Sequence, residues 1–187
     1  MEQLDKSVGQ PDTDHRAALI RLGLFAGLGY ILLLFVLYLI DKKLVLNPGL
    51  DLLLANIIYW ATVIKAIGDT KMRNGVELSL GEGLRAGITA GIFPALAFHL
   101  FMYALFNFID PSMFEVQLEV IRDSLEWAAG LVGPDALDED LIERVESEIE
   151  ASGATGYPLS VAIFGLGQSL VWVALISLVV SLVKKTR

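Results

Sequence analysis

Four long apolar runs divide this chain, and one sizeable polar segment interrupts them. The clearest run lies within RNGVELSLGEGLRAGITAGIFPALAFHLFMYALFNFID, from Arg73 to Asp110. No charged residue occurs between Arg85 and Asp110, a gap of 24 residues. As helix, that gap is about 36 Å long at ~1.5 Å per residue, enough to cross a hydrocarbon core of roughly 30 Å. Similar runs occupy Ala17–Ile40, Leu50–Gly68 and Pro158–Val183. The pattern predicts an all-α fold, an integral membrane four-helix bundle with an acidic helical segment inserted between spans 3 and 4. Its parts are a mobile N-terminal tail (1–16), spans 1–3 (17–110), an extramembrane acidic helical segment (111–157), and span 4 with a basic C-terminus (158–187).

Polar residues punctuate the runs where helix ends are expected. Arg21 sits one turn into span 1, where its stem reaches the interface. Asp41-Lys42-Lys43 closes that span, and Asn47-Pro48-Gly49 marks a turn. Asp51 falls in the first turn of span 2, favourable for the helix dipole. A loop is expected over Asp69–Glu82, with the turn pair Asn74-Gly75 and an alternation of Val76, Leu78 and Leu80 that would lie along the membrane surface. Pro94 is expected to kink span 3 and free the carbonyl of Ala90. The N-terminus lacks the basic start of a secretory signal, so span 1 is expected to remain as an anchor.

The polar segment has its own period. Ser112-Met113-Phe114-Glu115 has the form of a capping box. Phe114, Leu118, Ile121, Leu125 and Ala128 then form one helical stripe. Gly130, Gly133 and Pro134 break the helix, and Leu137, Leu141, Val145 and Ile149 predict a second. The two stripes are expected to close on each other as a hairpin over the bundle, with Trp127 near its base.

Composition changes the picture at a few points. The chain is 55% apolar with a net charge of -8, but 13 of its 22 carboxylates lie between Asp110 and Glu150. A segment so acidic is not expected to lie flat on anionic lipid. Cysteine is absent, removing disulfides, thiolate nucleophiles and sulfur ligands. No Asp or Glu falls at mid-membrane depth, against the usual pattern of an ion-coupled transporter. No second histidine stands at helical spacing from His99, so there is no HExxH site. Asp138-Glu139-Asp140 lacks the ligand spacing of a calcium loop and reads as a solvated face. No metal, cofactor or catalytic residues are expected, and His15 reads as an interface residue.

Two residue sets remain as candidates. Asn56, His99 and Gln168 are polar residues within spans, expected to face the interior as a polar cluster because bare polar groups in hydrocarbon are costly. Gly23, Gly27, Gly83, Gly87 and Gly91 permit close helix approach, expected within the chain. Arg21–Gly27 parallels Arg85–Gly91, and Asn56/Trp60 parallels Gln168/Trp172. That likeness fits either two copies of one hairpin or the abundance of small-xxx-small patterns in membrane helices.

Arg73-Asn74-Gly75, Val76–Leu80, Gly81-Glu82-Gly83-Leu84 and Phe106–Pro111, with the acidic helix after them, resemble a bacterial membrane-protein family, domain of unknown function 4199. The resemblance spans nearly the whole chain and implies four spans with no assigned activity. Ten basic residues fall on the side of the termini and the Asp69–Glu82 loop, and four on the other. The expected setting is therefore the bacterial inner membrane, with both termini cytoplasmic and 111–157 periplasmic. The expected role is that of a structural or regulatory partner without enzymatic activity, acting through the acidic helices on another membrane or periplasmic protein. The alternative is a small uncoupled carrier or channel subunit working as an oligomer. Membrane lipid is an expected partner and nucleic acid is not; the oligomeric state stays open.

Overall fold

The computed structural model describes residues 13–74, 78–132, 143–144, 147, 151 and 157–185. Among them there are helices and no strand: α1 (Thr13–Ile40), α2 (Lys42–Val45), α3 (Pro48–Asn74), α4 (Leu80–Ala104), α5 (Met113–Val132) and α6 (Leu159–Lys185). A wide π-turn, Leu105–Ile109, continues α4. α1, α3, α4 with its π-turn, and α6 are long and apolar enough to cross a membrane. Their outward side chains include Phe25, Leu32, Ile163 and Phe164, all exposed. A surface of that kind suits contact with lipid. The chain is an all-α, four-span membrane protein.

Helix starts follow local chemistry. Asp41 caps α2 by accepting from the Lys43 amide at 2.9 Å. Asn47 caps α3 by accepting from the Leu50 amide at 2.9 Å, with Pro48 in the first helical position. At α4 the cap is reciprocal: Ser79 Oγ accepts from the Glu82 amide at 3.2 Å, and Glu82 Oε2 accepts from the Ser79 amide at 3.0 Å. These caps move several expected boundaries. Residues 13–16, expected in the tail, are helical, and so are Asp69–Asn74 and Leu80–Glu82 of the expected loop. Asp69–Asn74 contains no helix breaker, and a Lys65–Asp69 ion pair at 2.7 Å, four residues apart, helps carry α3 onward.

The chain forms two compact units, each containing segments of all four long helices. The terminal unit comprises the described parts of 1–28, 58–95 and 169–187. It gathers the start of α1, the end of α3, the start of α4 and the end of α6, so successive spans alternate in direction. Leu19, Ala66, Ala86 and Ala90 form part of its core. Lys71 Nζ donates to the Lys184 carbonyl at 2.6 Å, satisfying an end of α6.

The acidic unit comprises 29–57 and the described parts of 96–168. Tyr30 is buried there, stacked on Phe98 at 5.6 Å, and its hydroxyl donates to Asp51 Oδ1 at 3.1 Å. Phe106 packs edge-on against Phe114 at 4.9 Å, and Tyr157 lies 5.2 Å from it. The α5 stripe is half-buried at Phe114, Leu118, Ile121 and Leu125, with Glu115, Glu119, Asp123 and Glu126 exposed opposite. α5 packs on α2, and Ile121 and Leu125 line a small cavity with Leu46 and Pro48. α5 continues through Gly130, expected to break it, to Val132; Gly133, Pro134, the stripe Leu137, Leu141, Val145 and Ile149 of the second predicted helix, and the expected hairpin lie outside the described residues.

Candidate functional site

The acidic unit holds a polar network where α1, α2 and the α4–α5 junction meet. The π-turn sets it up: the Asp110 amide donates five residues back, to the Leu105 carbonyl, at 2.8 Å. Pro111 follows and forbids further helix. Asp110 therefore sits at a corner, its side chain 13% exposed, within reach of three groups. Lys42 Nζ lies 2.5 Å from Oδ2. Tyr38 donates its hydroxyl to the same oxygen at 2.9 Å, and Ser112 donates to Oδ1 at 2.6 Å. The capping box expected at 112–115 is thus not how Ser112 is used; its hydroxyl turns to Asp110 and accepts from Lys42 at 3.2 Å.

Lys43 extends the network along α5. Its ammonium lies 2.7 Å from Glu119 and 3.1 Å from Asp123, which are four residues apart and so share one helix face. The Lys42 and Ser112 contacts hold the Asp110 carboxyl well below the usual carboxylate range, with Tyr38 adding to them. Asp110 raises the pKa of Lys42, and Glu119 and then Asp123 raise that of Lys43. α5 is therefore tied to α2 by charge, while Glu115, Glu126 and Trp127 remain exposed.

The expected interior cluster of Asn56, His99 and Gln168 is not what the structure presents. Gln168 is exposed on the surface of α6. Asn56 is half-buried and donates to the Leu52 carbonyl of its own helix at 2.7 Å, which meets its polar need locally. Only His99 is buried, and it hydrogen-bonds the backbone of Gly165. A Cβ on Gly165 would lie 2.6 Å from His99 Cε1, so glycine makes room for the ring. Gly165 was missed by sequence reasoning, although the Gly165-Leu166-Gly167 step offered a signal.

The glycines have defined neighbours in the terminal unit. A Cβ on Gly83 would strike Ser181, one on Gly87 would strike Ser177, and one on Gly91 would stand 2.5 Å from Val173 Cγ1. Steps of four on α4 meet steps of four on α6, with the order reversed. The serine hydroxyls are satisfied on their own helix, Ser177 donating to Val173 at 2.7 Å and Ser181 to Ser177 at 2.6 Å. Gly23 faces the Ala90 carbonyl and Phe93. That carbonyl is the one Pro94 deprives of its helical donor, and only a glycine leaves space for it. Gly27 is also buried. The proposed repeat pairs do not share environments: Gly23 faces α4, whereas its counterpart Gly87 faces α6 and Val63.

Among the described residues, no three His, Cys, Asp or Glu side chains gather as a metal site. A family profile described as protein of unknown function (DUF4199) matches residues 21–186, spanning all four membrane helices and the acidic segment. The chain belongs to the DUF4199 family. No curated protein and no solved structure matches it. Within this DUF4199 chain, the charged features described above are the α5 anchor and the polar ends of the spans.

Proposed function

We propose that this protein is a noncatalytic structural or regulatory partner in the bacterial inner membrane. Both termini are cytoplasmic and residues 111–157 are periplasmic in this reading, as the distribution of basic residues favours. The observation that carries it is the anchoring of α5. Lys42 and Lys43 hold Asp110, Glu119 and Asp123, so a helix of 20 residues is fixed before any partner arrives. A preformed surface avoids the ordering cost of binding. The exposed Glu115, Glu126 and Trp127 along α5 suit a partner with a cationic face and an aromatic-binding hollow. The interlock of α4 with α6 weighs against the carrier alternative, because a packed helix pair leaves no water path between its members.

The test is affinity purification from native membranes with quantitative mass spectrometry. Neutralising Glu115 and Glu126 to Gln together with Trp127→Ala should reduce recovery of a specific partner at least tenfold, while Gln168→Leu leaves recovery unchanged. Equal recovery with all three residues replaced would contradict the proposal.

A further inference from the structure

We propose that the terminal unit carries a binding site for a phosphate group. A cavity of about 530 Å³ opens where the start of α1, the end of α3 and the start of α4 meet. Arg16, Arg73 and Arg85 line it, one from each helix, together with His15 and Thr70. Leu19 and Ala86 contribute apolar wall. Among the described residues, Glu82 is the one carboxylate in the lining, and both its oxygens are hydrogen-bonded. Its Oε1 accepts from Asn74 at 3.2 Å, and its Oε2 accepts from the Ser79 amide and hydroxyl at 3.0 and 2.8 Å. Among the described residues, the lining therefore carries three guanidiniums and one carboxylate.

Local hydrogen bonding adds to this preference. Thr70 Oγ1 donates its hydrogen to the Ala66 carbonyl at 2.8 Å, so its contact with His15 Nε2 at 3.0 Å must be accepted from the ring. His15 therefore donates from Nε2, and this bond holds its ring at the cavity wall. α1 and α4 start at this place and α3 ends there, so the helix dipoles leave a balance of one positive end. Guanidinium forks pair with the oxygens of carboxylates and phosphates alike; a tetrahedral phosphate can meet forks arriving from three helices, whereas a planar carboxylate offers two oxygens. The ligand is the phosphate of an anionic lipid headgroup or a free phosphate compound; both use the same donors. Either would bridge three spans.

The experiment uses the purified full chain in neutral detergent, read by native mass spectrometry and thermal unfolding. The probes are phosphatidylglycerol, inorganic phosphate, and phosphatidylcholine, whose choline offsets its phosphate. Adducts with phosphatidylglycerol but not phosphatidylcholine, at least tenfold weaker in Arg16→Gln/Arg85→Gln, support the site with lipid as its source. Binding of inorganic phosphate with the same arginine dependence supports it with a free compound as the source. Lys184→Gln/Lys185→Gln removes as much charge outside the cavity and should keep the adduct. The single variants Arg16→Gln and Arg85→Gln provide the reading if the double variant does not fold. Binding that is absent, or equal in parent and arginine variants, would overturn the proposal.

Discussion

Replacing Gly87 with alanine should destabilise the protein through one contact. The new Cβ would lie 2.7 Å from Ser177 Cβ and 3.2 Å from Val63 Cγ1. Carbon atoms pack at about 3.5–4.0 Å, so the Ser177 side is short by roughly 1 Å. The obstructing atom is a Cβ, which cannot rotate away, so α6 itself must shift. Overpacking of this kind costs about 1–3 kcal/mol. Alanine's better helix propensity returns about 0.5–1 kcal/mol, leaving a net loss of roughly 1 kcal/mol at the middle of the two ranges. Removing the obstruction with Ser177→Gly should recover most of that contact cost, whereas Ser177→Ala, which keeps the Cβ, should not. The assay is reversible unfolding in mixed micelles, followed by tryptophan fluorescence and arranged as a double-mutant cycle. A Gly87→Ala protein as stable as its parent, or equal coupling with Ser177→Gly and Ser177→Ala, would refute the packing argument.

Other perturbations read different parts of the structure. Gly165→Ala places a Cβ 2.6 Å from His99 Cε1 and forces the ring off the Gly165 backbone; we expect a loss of about 1 kcal/mol, largely absent in a His99→Ala background. Asp110→Asn should raise amide exchange along α5, because it weakens the Lys42 contact. The pH dependence of this anchor follows from opposite shifts: the Asp110 contribution is complete above the ordinary carboxylate pKa near 4 and lost only as pH falls through its depressed value, and the lysine contributions persist to about pH 10. The protection of α5, with the intrinsic pH dependence of amide exchange divided out, should therefore be flat from about pH 5 to 10, and a loss of protection near pH 6 would contradict the assignment. Gln168→Leu should change stability by less than about 0.5 kcal/mol, since that side chain is exposed.

The spans were legible because charge-free length is a direct physical requirement of the bilayer. The α5 stripe was legible too, since its period separates Phe114, Leu118, Ile121 and Leu125 from the carboxylates. Gln168 was misplaced for a related reason. α6 is apolar nearly all round, so its pattern does not distinguish a lipid face from an interior face. The length of α3 was underestimated because polarity after Gly68 was read as loop, whereas Asp69–Asn74 simply continues the helix beyond the apolar run. Glycine spacing announced close approach but not the partner. That needed the register of Val173, Ser177 and Ser181, itself a visible step of four. The cationic cavity was beyond reach, because Arg16, Arg73 and Arg85 converge only when three helices are assembled.

Site-specific photocrosslinking in living cells tests the partner role of α5 most directly. A benzophenone amino acid in place of Trp127, which is 70% exposed, samples the proposed contact surface. The same group at Phe25, 74% exposed on a span, samples lipid. The account predicts a discrete protein adduct from position 127, lost when Glu115 and Glu126 become glutamine, and lipid adducts from position 25. No protein adduct at 127, or one indifferent to both carboxylates, would contradict it.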